Sequence, residues 1–152
     1  MQSFPEMGTI MKFAEEKDLD INSKVMKERQ KASLGTGNLI KYIEDYFSPQ
    51  TDFRSIVVLS QIMQAFAIKS AVEIHRRSMP FCMGTLYWQF NDCWPAISWS
   101  SVDYFGNWKA LHYHAKRFFN EIIIVIHEKE EHIHISVIND KHKKVESRIQ
   151  LQ

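Results

Sequence analysis

An α/β fold with a β-rich end is predicted for this chain of 152 residues, and three observations support the prediction. The stretch from Asp52 to about Ser78 places apolar residues at helical spacing. Phe81 to Phe90 follows Pro80 and carries few charges, which is typical of a strand buried on both faces. After residue 119, short apolar runs alternate with polar residues, as strands do.

Composition places the chain among globular proteins of about one ordinary domain, with 45% hydrophobic and 24% charged residues. The formal net charge of +1 gives no electrostatic reason to expect nucleic acid or a membrane surface as a partner. The longest uninterrupted apolar run, Ile122 to Ile126, is too short to span a bilayer. We therefore expect no membrane partner. Cys82 and Cys93 form neither a disulfide framework nor a metal-site spacing.

Short polar helices separated by glycine and proline are predicted in the first fifty residues, at positions 13 to 17, 24 to 31 and 39 to 47. Asp52 is a suitable N-cap for the long helix that follows, and Pro80 ends that helix. The segment from Asn91 to Asn107 is predicted to be a loop. A helix over residues 108 to 119 and strands over residues 122 to 127, 132 to 139 and 144 to 151 complete the chain.

A helix, a strand, a loop and a second helix in this order are typical of the end of a (β/α)8 barrel, whose functional groups lie at the carboxyl ends of the strands. The stretch GTLYWQFNDCWPAISW, residues 84 to 99, lies at such an end. It holds three of the four tryptophans, interleaved with amide and carboxylate groups. Rings beside hydrogen-bonding groups favour a binding cleft over a core, because buried polar groups need partners.

Three motifs carry a resemblance to a known family. Residues 84 to 119, GTLYWQFNDCWPAISWSSVDYFGNWKALHYHAKRFF, resemble the closing strand, loop and helix of the retaining β-mannosidases of glycoside hydrolase family 2. The stretch TDFRSIVVLSQIMQAFAIKSAVEIHRR resembles the preceding barrel helix, and MQSFPEM resembles the segment just after the nucleophile. The resemblance implies that residues 1 to 119 end a catalytic TIM barrel. It also implies that residues 120 to 152 begin a β-sandwich.

In the family pattern, the nucleophilic glutamate falls immediately before Met1 and the acid/base glutamate lies on an earlier strand. Retaining hydrolysis needs two carboxyl groups about 5 Å apart. We therefore expect the complete form to cleave terminal β-linked mannose from oligosaccharides without a cofactor, and this chain alone to be inactive. The spacing of Asp92 and Asp103 does not show that they converge as a substitute pair. The sequence does not decide the protein's compartment; periplasmic, secreted and lysosomal locations are all compatible with it.

The resemblance makes Trp88 the main candidate for substrate binding, as the apolar floor beneath the mannose, although a core indole is the alternative. Asn91 and Asp92 could bond sugar hydroxyls, or they could cap the loop and orient Trp88. Trp94 and Trp99 could line a subsite or pack the loop. Histidines recur two residues apart, but no third ligand is evident and no metal site is expected.

Two further classes stay open at this point. The first is a carbohydrate-binding or interaction module that uses the aromatic loop without chemistry. The second is a fragment of a related family 2 β-galactosidase or β-glucuronidase. A lone barrel strand also leaves apolar surface and strand edges uncovered, so we expect self-association of the isolated chain.

Overall fold

The computed structural model describes residues 1 to 146 and 148 to 150. Its elements are α1 (Met7–Ile10), a 3-10 turn (Glu16–Asp18), α2 (Lys24–Arg29), α3 (Gly35–Glu44), α4 (Phe53–Arg77), α5 (Ala110–Phe118), β1 (Ile122–Lys129) and β2 (His132–Asn139). The helices predicted over residues 24 to 31, 39 to 47, 52 to 78 and 108 to 119 are confirmed with shifted ends. The helix predicted over residues 13 to 17 is wrong, because only the 3-10 turn forms there, and α1 was not predicted.

Helix α4 is the central element, and α3 and α5 pack against it. The predicted N-cap is confirmed: the Asp52 carboxylate accepts the backbone N–H groups of Arg54 and Ser55 at 3.3 and 2.8 Å. These bonds satisfy donors that the first turn of a helix otherwise leaves unpaired. Phe53 then enters the core and packs edge-on against Phe4, with ring centroids 5.4 Å apart.

By length and composition alone, α4 is apolar enough to cross a membrane, a test that core helices of globular proteins also pass. The expectation from uninterrupted apolar runs missed this, because polar residues divide the apolar stretch of α4. Two of them, Ser60 and Gln64, are buried and bonded to the N-terminal segment: Ser60 Oγ accepts Phe4 N–H at 3.0 Å, and Gln64 Oε1 accepts Ser3 Oγ–H at 2.7 Å. These protein partners support a core role for α4.

The main core lies between α4 and the N-terminal half of the chain. Its buried apolar side chains come from the helices α1 to α4, from the segments beside α1 and from the loop after residue 91. They are Phe4, Ile10, Ala14, Met26, Leu39, Ile43, Phe53, Ile56, Val57, Met63 and Ile97. A smaller cluster joins α4 to α5 through Ala65, Val72, Leu111, Ala115 and Phe118. The loop after residue 91 is therefore fixed by the core on its inner side.

The prediction of a strand over Phe81 to Phe90 is wrong for the chain in this form. No ladder includes these residues, and most of their large apolar side chains are exposed; Leu86 is 98% exposed. A strand exists only when a neighbour pairs with it. Among the described residues, the strand ladder is the β1–β2 hairpin, and no strand pairs with residues 81 to 90. Residues 81 to 90 therefore have the apolar pattern of a buried strand but lack a neighbouring strand to pair with.

The two strands form an antiparallel hairpin after α5, in which Ile122 pairs with Asn139 and Lys129 with His132. Its inner face packs on the helices through Val125 and Ile138, which are buried. The strand expected over residues 144 to 151 does not form in the described part of that range, and Ser147 and Leu151 lie outside the described residues. The hairpin alone is a two-stranded sheet.

Arg76, near the end of α4, ties this hairpin to the helices. Its buried guanidinium donates to the carbonyl oxygen of Phe118 and to the Asp140 carboxylate, the latter at 2.6 Å. The contact joins the end of α4 to the end of α5 and to the residue after β2. The two regions expected from the sequence, 1 to 119 and 120 to 152, are thus linked by a buried charge.

Candidate functional site

Trp88 lies on the surface between two anchored neighbours and is 71% exposed. On one side, the Tyr87 hydroxyl bonds Ser101 Oγ at 2.9 Å. On the other, Gln89 N–H donates to the carbonyl oxygen of Trp99 at 3.1 Å, and Ser101 N–H donates to the carbonyl oxygen of Gln89 at 3.0 Å. The Trp88–Gln89 peptide bond is cis. The hydrogen bonds of Tyr87, Gln89 and Ser101 hold the backbone around Trp88, while its indole stays exposed.

Asp92 is only 8% exposed and is held by hydroxyl groups. Its Oδ2 accepts hydrogen bonds from Ser98 Oγ at 2.9 Å and from Ser100 Oγ at 2.7 Å. Its Oδ1 accepts Gln89 Nε2 at 3.3 Å, which links it to the residue after Trp88. This geometry supports the role of orienting the Trp88 segment. Asn91 is exposed beside it, and its backbone bridges to Val102.

Trp94 is half-buried and covered by cations. The Arg29 guanidinium lies 4.5 Å and the Lys31 ammonium 4.1 Å from its ring. Among the described residues, no partner is found for its buried indole nitrogen. Because cation–π contacts occupy its ring, Trp94 is better placed to hold the loop against α2 than to receive a sugar.

Trp99 lines a cavity of ≈ 320 Å³ between the N-terminal residues and α3. The polar side chains in the lining are Gln2, Ser33, Asn38 and Tyr42. The amide of Gln2 is fixed there, because its Nε2 donates to the carbonyl oxygen of Ile97 at 3.2 Å. Trp88 does not line this cavity, although the Gln89–Trp99 backbone bond makes the two segments neighbours.

The cavity residues in α3 and just before it were not found by sequence reasoning. Ser33, Asn38 and Tyr42 are about sixty residues from Trp99, and no local motif marks them. One signal was available in Gly35: a Cβ at this position would collide with the side-chain oxygens of Gln2 and Gln30. A glycine at the start of a helix without positive φ indicates such a close approach.

Asp103 is buried in a hydrogen-bond network of its own. Its Oδ1 accepts the backbone N–H groups of Phe105 and Asn107, each at 2.9 Å, and its Oδ2 accepts the Thr9 hydroxyl. Asp92 is likewise satisfied by Ser98 and Ser100. Asp92 therefore stabilises its own loop, and Asp103 also ties the loop to Thr9 of α1. The two carboxylates do not face a shared cavity among the described pockets. The arrangement does not support them as a catalytic pair.

Lys109 was not singled out from the sequence and is fully buried at 0% exposure. Its ammonium donates to the carbonyl oxygens of Ser3 and Ser98, each at 3.4 Å. Burial lowers the pKa of Lys109 to about 8, while the carboxylates of Asp92, Asp103 and Glu6 oppose the shift. The segment that carries Trp99 is thus backed by a buried positive charge.

No group of three His, Cys, Asp or Glu side chains that could hold a metal ion occurs in the part of the chain described. His127 and His134 pair across the hairpin with ring centroids 5.3 Å apart. Burial, the largest cause, and the nearby charge of Arg77 lower the pKa of His127.

Comparison with known proteins shows which proteins the chain is similar to, a question that the geometry alone leaves open. No protein-family model matches it. A β-mannosidase of Mus musculus is 35% identical over 155 residues, which covers 93% of this chain and 18% of the relative. β-Mannosidase B of Aspergillus terreus is 35% identical over 136 residues, 87% of this chain and 16% of the relative. The chain matches one segment of the β-mannosidases.

A solved structure agrees with these sequences. The β-D-mannosidase of Dictyoglomus thermophilum superposes with a TM-score of 0.89 at 37% identity, over 92% of this chain and 17% of that one. The resemblance to β-mannosidases drawn from the sequence is therefore confirmed, and the fold is similar to one segment of this solved β-D-mannosidase. The chain spans less than a fifth of the length of the relatives it matches.

Proposed function

We propose that this chain forms part of the mannose-binding wall of a retaining β-mannosidase that removes terminal β-linked mannose. Both catalytic glutamates would come from other parts of the complete polypeptide. In this proposal, residues 81 to 90 are the closing strand of a TIM barrel and the β1–β2 hairpin begins a β-sandwich. The isolated chain would be inactive. The complete polypeptide would need no cofactor.

The exposed indole of Trp88 carries the proposal. A large ring that is 71% exposed, between backbone segments held by hydrogen bonds, matches the apolar face of a sugar. At the carboxyl end of a barrel strand, such a ring would lie where barrel enzymes place their active sites. Trp99 and Gln2, on the neighbouring segments, line the adjoining cavity. In this proposal, these residues supply part of the surface that binds the sugar.

The hydrogen bonding of Asp92 and Asp103 supports placing both catalytic glutamates on other parts of the complete polypeptide. Retaining hydrolysis needs a nucleophile and an acid/base carboxyl group facing one glycosidic bond. Asp92 and Asp103 are the buried carboxylates beside the loop, and both are saturated by local donors. We therefore place the bond-breaking chemistry elsewhere in the complete polypeptide.

The test is hydrolysis of p-nitrophenyl β-mannoside by this chain and by a polypeptide extended upstream through a whole barrel, side by side. Activity only in the longer protein supports the proposal. Activity in the short chain would place the catalytic carboxylates on it, and Asp92→Asn and Asp103→Asn would then be the first variants to assay. Parallel assays with β-galactoside and β-glucuronide substrates decide between the mannosidase and its sister activities.

A carbohydrate-binding module is the second candidate, because Trp88 is available without any catalytic group. Titration of the chain with mannose and mannobiose, followed by the fluorescence of its indoles, separates the two functions. Saturable quenching that Trp88→Ala abolishes, together with no activity in the extended protein, would favour the module.

We also propose that the isolated chain associates with itself through its uncovered apolar surfaces. The first surface is the apolar edge of residues 81 to 90, and the second is the outer face of the hairpin, with Ile124, Ile126, Ile133 and Val137. Exposed apolar patches of this kind mark contact surfaces or aggregation sites.

A further inference from the structure

Lys109 contacts the backbone pairing of Ser3 with Ser98, which joins the N-terminal segment to the loop that carries Trp99. Ser3 and Ser98 face each other as an isolated antiparallel bridge: Ser3 N–H donates to Ser98 O at 2.9 Å, and Ser98 N–H donates to Ser3 O at 3.2 Å. The Lys109 ammonium donates to the same two carbonyl oxygens, each at 3.4 Å. One buried cation therefore contacts both sides of a pairing that is only one bridge long.

The residues beside this bridge are the ones that face the cavity. Gln2 precedes Ser3 and Trp99 follows Ser98, and both line the ≈ 320 Å³ cavity. Lys109 itself does not line it. Any displacement of the bridge would move Gln2 and Trp99 together, because each is one residue away from it. Lys109 can therefore act on the cavity only through Ser3 and Ser98.

Packing does not account for an ammonium at this position. Burying a charge costs free energy unless partners replace its hydration, and Lys109 forms no ion pair shorter than 4.0 Å among the described residues. The carboxylates of Asp92, Asp103 and Glu6 act on it only through space. An alkyl side chain would fill the same volume without this cost, so the charge requires a separate explanation.

We propose that Lys109 is a positioning residue for mannoside hydrolysis: its ammonium holds the Ser3–Ser98 bridge so that Gln2 and Trp99 keep the geometry that binds the sugar. The inference rests on the proposed function of the complete polypeptide. It differs from a packing role, since it assigns the effect to the charge and its two carbonyl partners.

The experiment compares hydrolysis of p-nitrophenyl β-mannoside by the complete polypeptide and its Lys109→Met variant, which keeps the side-chain length but removes the charge. We expect kcat/KM to fall about 10- to 100-fold, as small displacements of binding groups do. Lys116→Met, on the exposed side of α5, is the matched control and should stay within about twofold of the unsubstituted protein.

A second variant separates charge from volume. In Lys109→Ala, added propylammonium should restore activity as its concentration rises, whereas 1-propanol of similar size should not. The inference is overturned if Lys109→Met stays within about twofold, if propanol restores activity as well as propylammonium does, or if neither restores it. If the unsubstituted polypeptide does not hydrolyse the mannoside, the proposed function itself fails. If it does and the variants give one of these three results, only the inference about Lys109 fails.

Discussion

Tyr87 and Gln89 hold the chain on both sides of Trp88 and leave its ring free. We expect Trp88→Ala in the complete polypeptide to lower kcat/KM for a β-mannoside about 10- to 100-fold, because in the proposed site the ring supplies the apolar contact to the sugar. The unfolding temperature should change little, since an indole that is 71% exposed contributes little packing. Steady-state assays and a thermal melt measure the two quantities.

Trp94→Ala is the matched control, because it removes the same type of side chain at a different position. Arg29 and Lys31 cover Trp94, so its loss should lower stability more than activity. The assignment of Trp88 to substrate binding would be contradicted if Trp94→Ala reduced kcat/KM as much as Trp88→Ala does while both proteins melt at the same temperature.

Lys109 makes a pH-dependent contribution whose sign follows from its burial. The pKa is lowered from 10.5 to about 8, so the unfolded chain binds the proton more tightly than the folded chain. The free energy of unfolding should therefore rise as the pH increases from 8 to 10.5, by at most on the order of 3 kcal/mol. Below pH 8 this stabilisation is absent, because the folded state then buries the charge.

Urea unfolding of the chain at several pH values, followed by tryptophan fluorescence, measures this contribution as the difference from Lys109→Met. The difference should move in favour of the unsubstituted chain as the pH rises through this window. A difference that stays constant between pH 7 and 10.5 would show that Lys109 is hydrated in solution.

The residues of the site were predictable only where a local motif marks them. Trp88, Asp92 and Trp99 stand out because rings and polar groups alternate in one short stretch. Lys109 and Tyr42 do not, because their importance depends on the carbonyls and segments that tertiary folding places beside them. A lysine in an amphipathic helical motif is ordinarily solvated, so its burial has no signature in one sequence.

Helix α4 and strand β2 were predicted well because each carries its signal within one segment. Asp52 begins α4 through bonds to Arg54 and Ser55, and the alternation in His132–Asn139 gives β2 its bounds. Phe81 to Phe90 failed because a strand depends on residues elsewhere. Sequence reasoning thus identified the apolar character of that segment and not its conformation in this chain.

The N-cap of α4 makes the stability of the folded chain depend on pH in acid. Bonds from the Ser55 side chain and backbone, the largest causes, lower the pKa of Asp52. The cap therefore stabilises the folded state above the ordinary carboxyl pKa, and this contribution is lost as the pH falls through the lowered value. Asp52→Ala should lower the melting temperature at neutral pH and have a smaller effect in acid.

Asp45→Ala is the control for this prediction, since Asp45 is an exposed residue at the end of α3. It should change the melting temperature little at either pH. Circular dichroism melts of the three proteins at neutral and acidic pH provide the comparison. An equal loss from Asp52→Ala at both pH values would contradict a role for the ionised carboxylate as the cap.

The whole molecule leaves two apolar surfaces uncovered, and their covering decides its state in solution. Leu86 is 98% exposed on the first surface, and Ile133 projects from the outer face of the hairpin on the second. The matched relatives are more than five times longer than this chain, so their additional residues could cover both surfaces. Alone, the chain can reduce its apolar exposure only by contact with other copies.

We therefore expect the isolated chain to associate as its concentration rises from about 1 to 100 µM, in sedimentation velocity experiments. Leu86→Lys and Ile133→Lys should each reduce association, because a lysine ammonium resists burial in an apolar contact. Leu34→Lys is the control, because Leu34 is also a large exposed apolar residue but lies on neither surface. A monomer throughout the range, or equal loss of association in all three variants, would contradict the assignment of these surfaces. If the two variants together give a monomer that still unfolds cooperatively, the core around α4 is sufficient to fold this segment, and the uncovered surfaces then serve only for assembly.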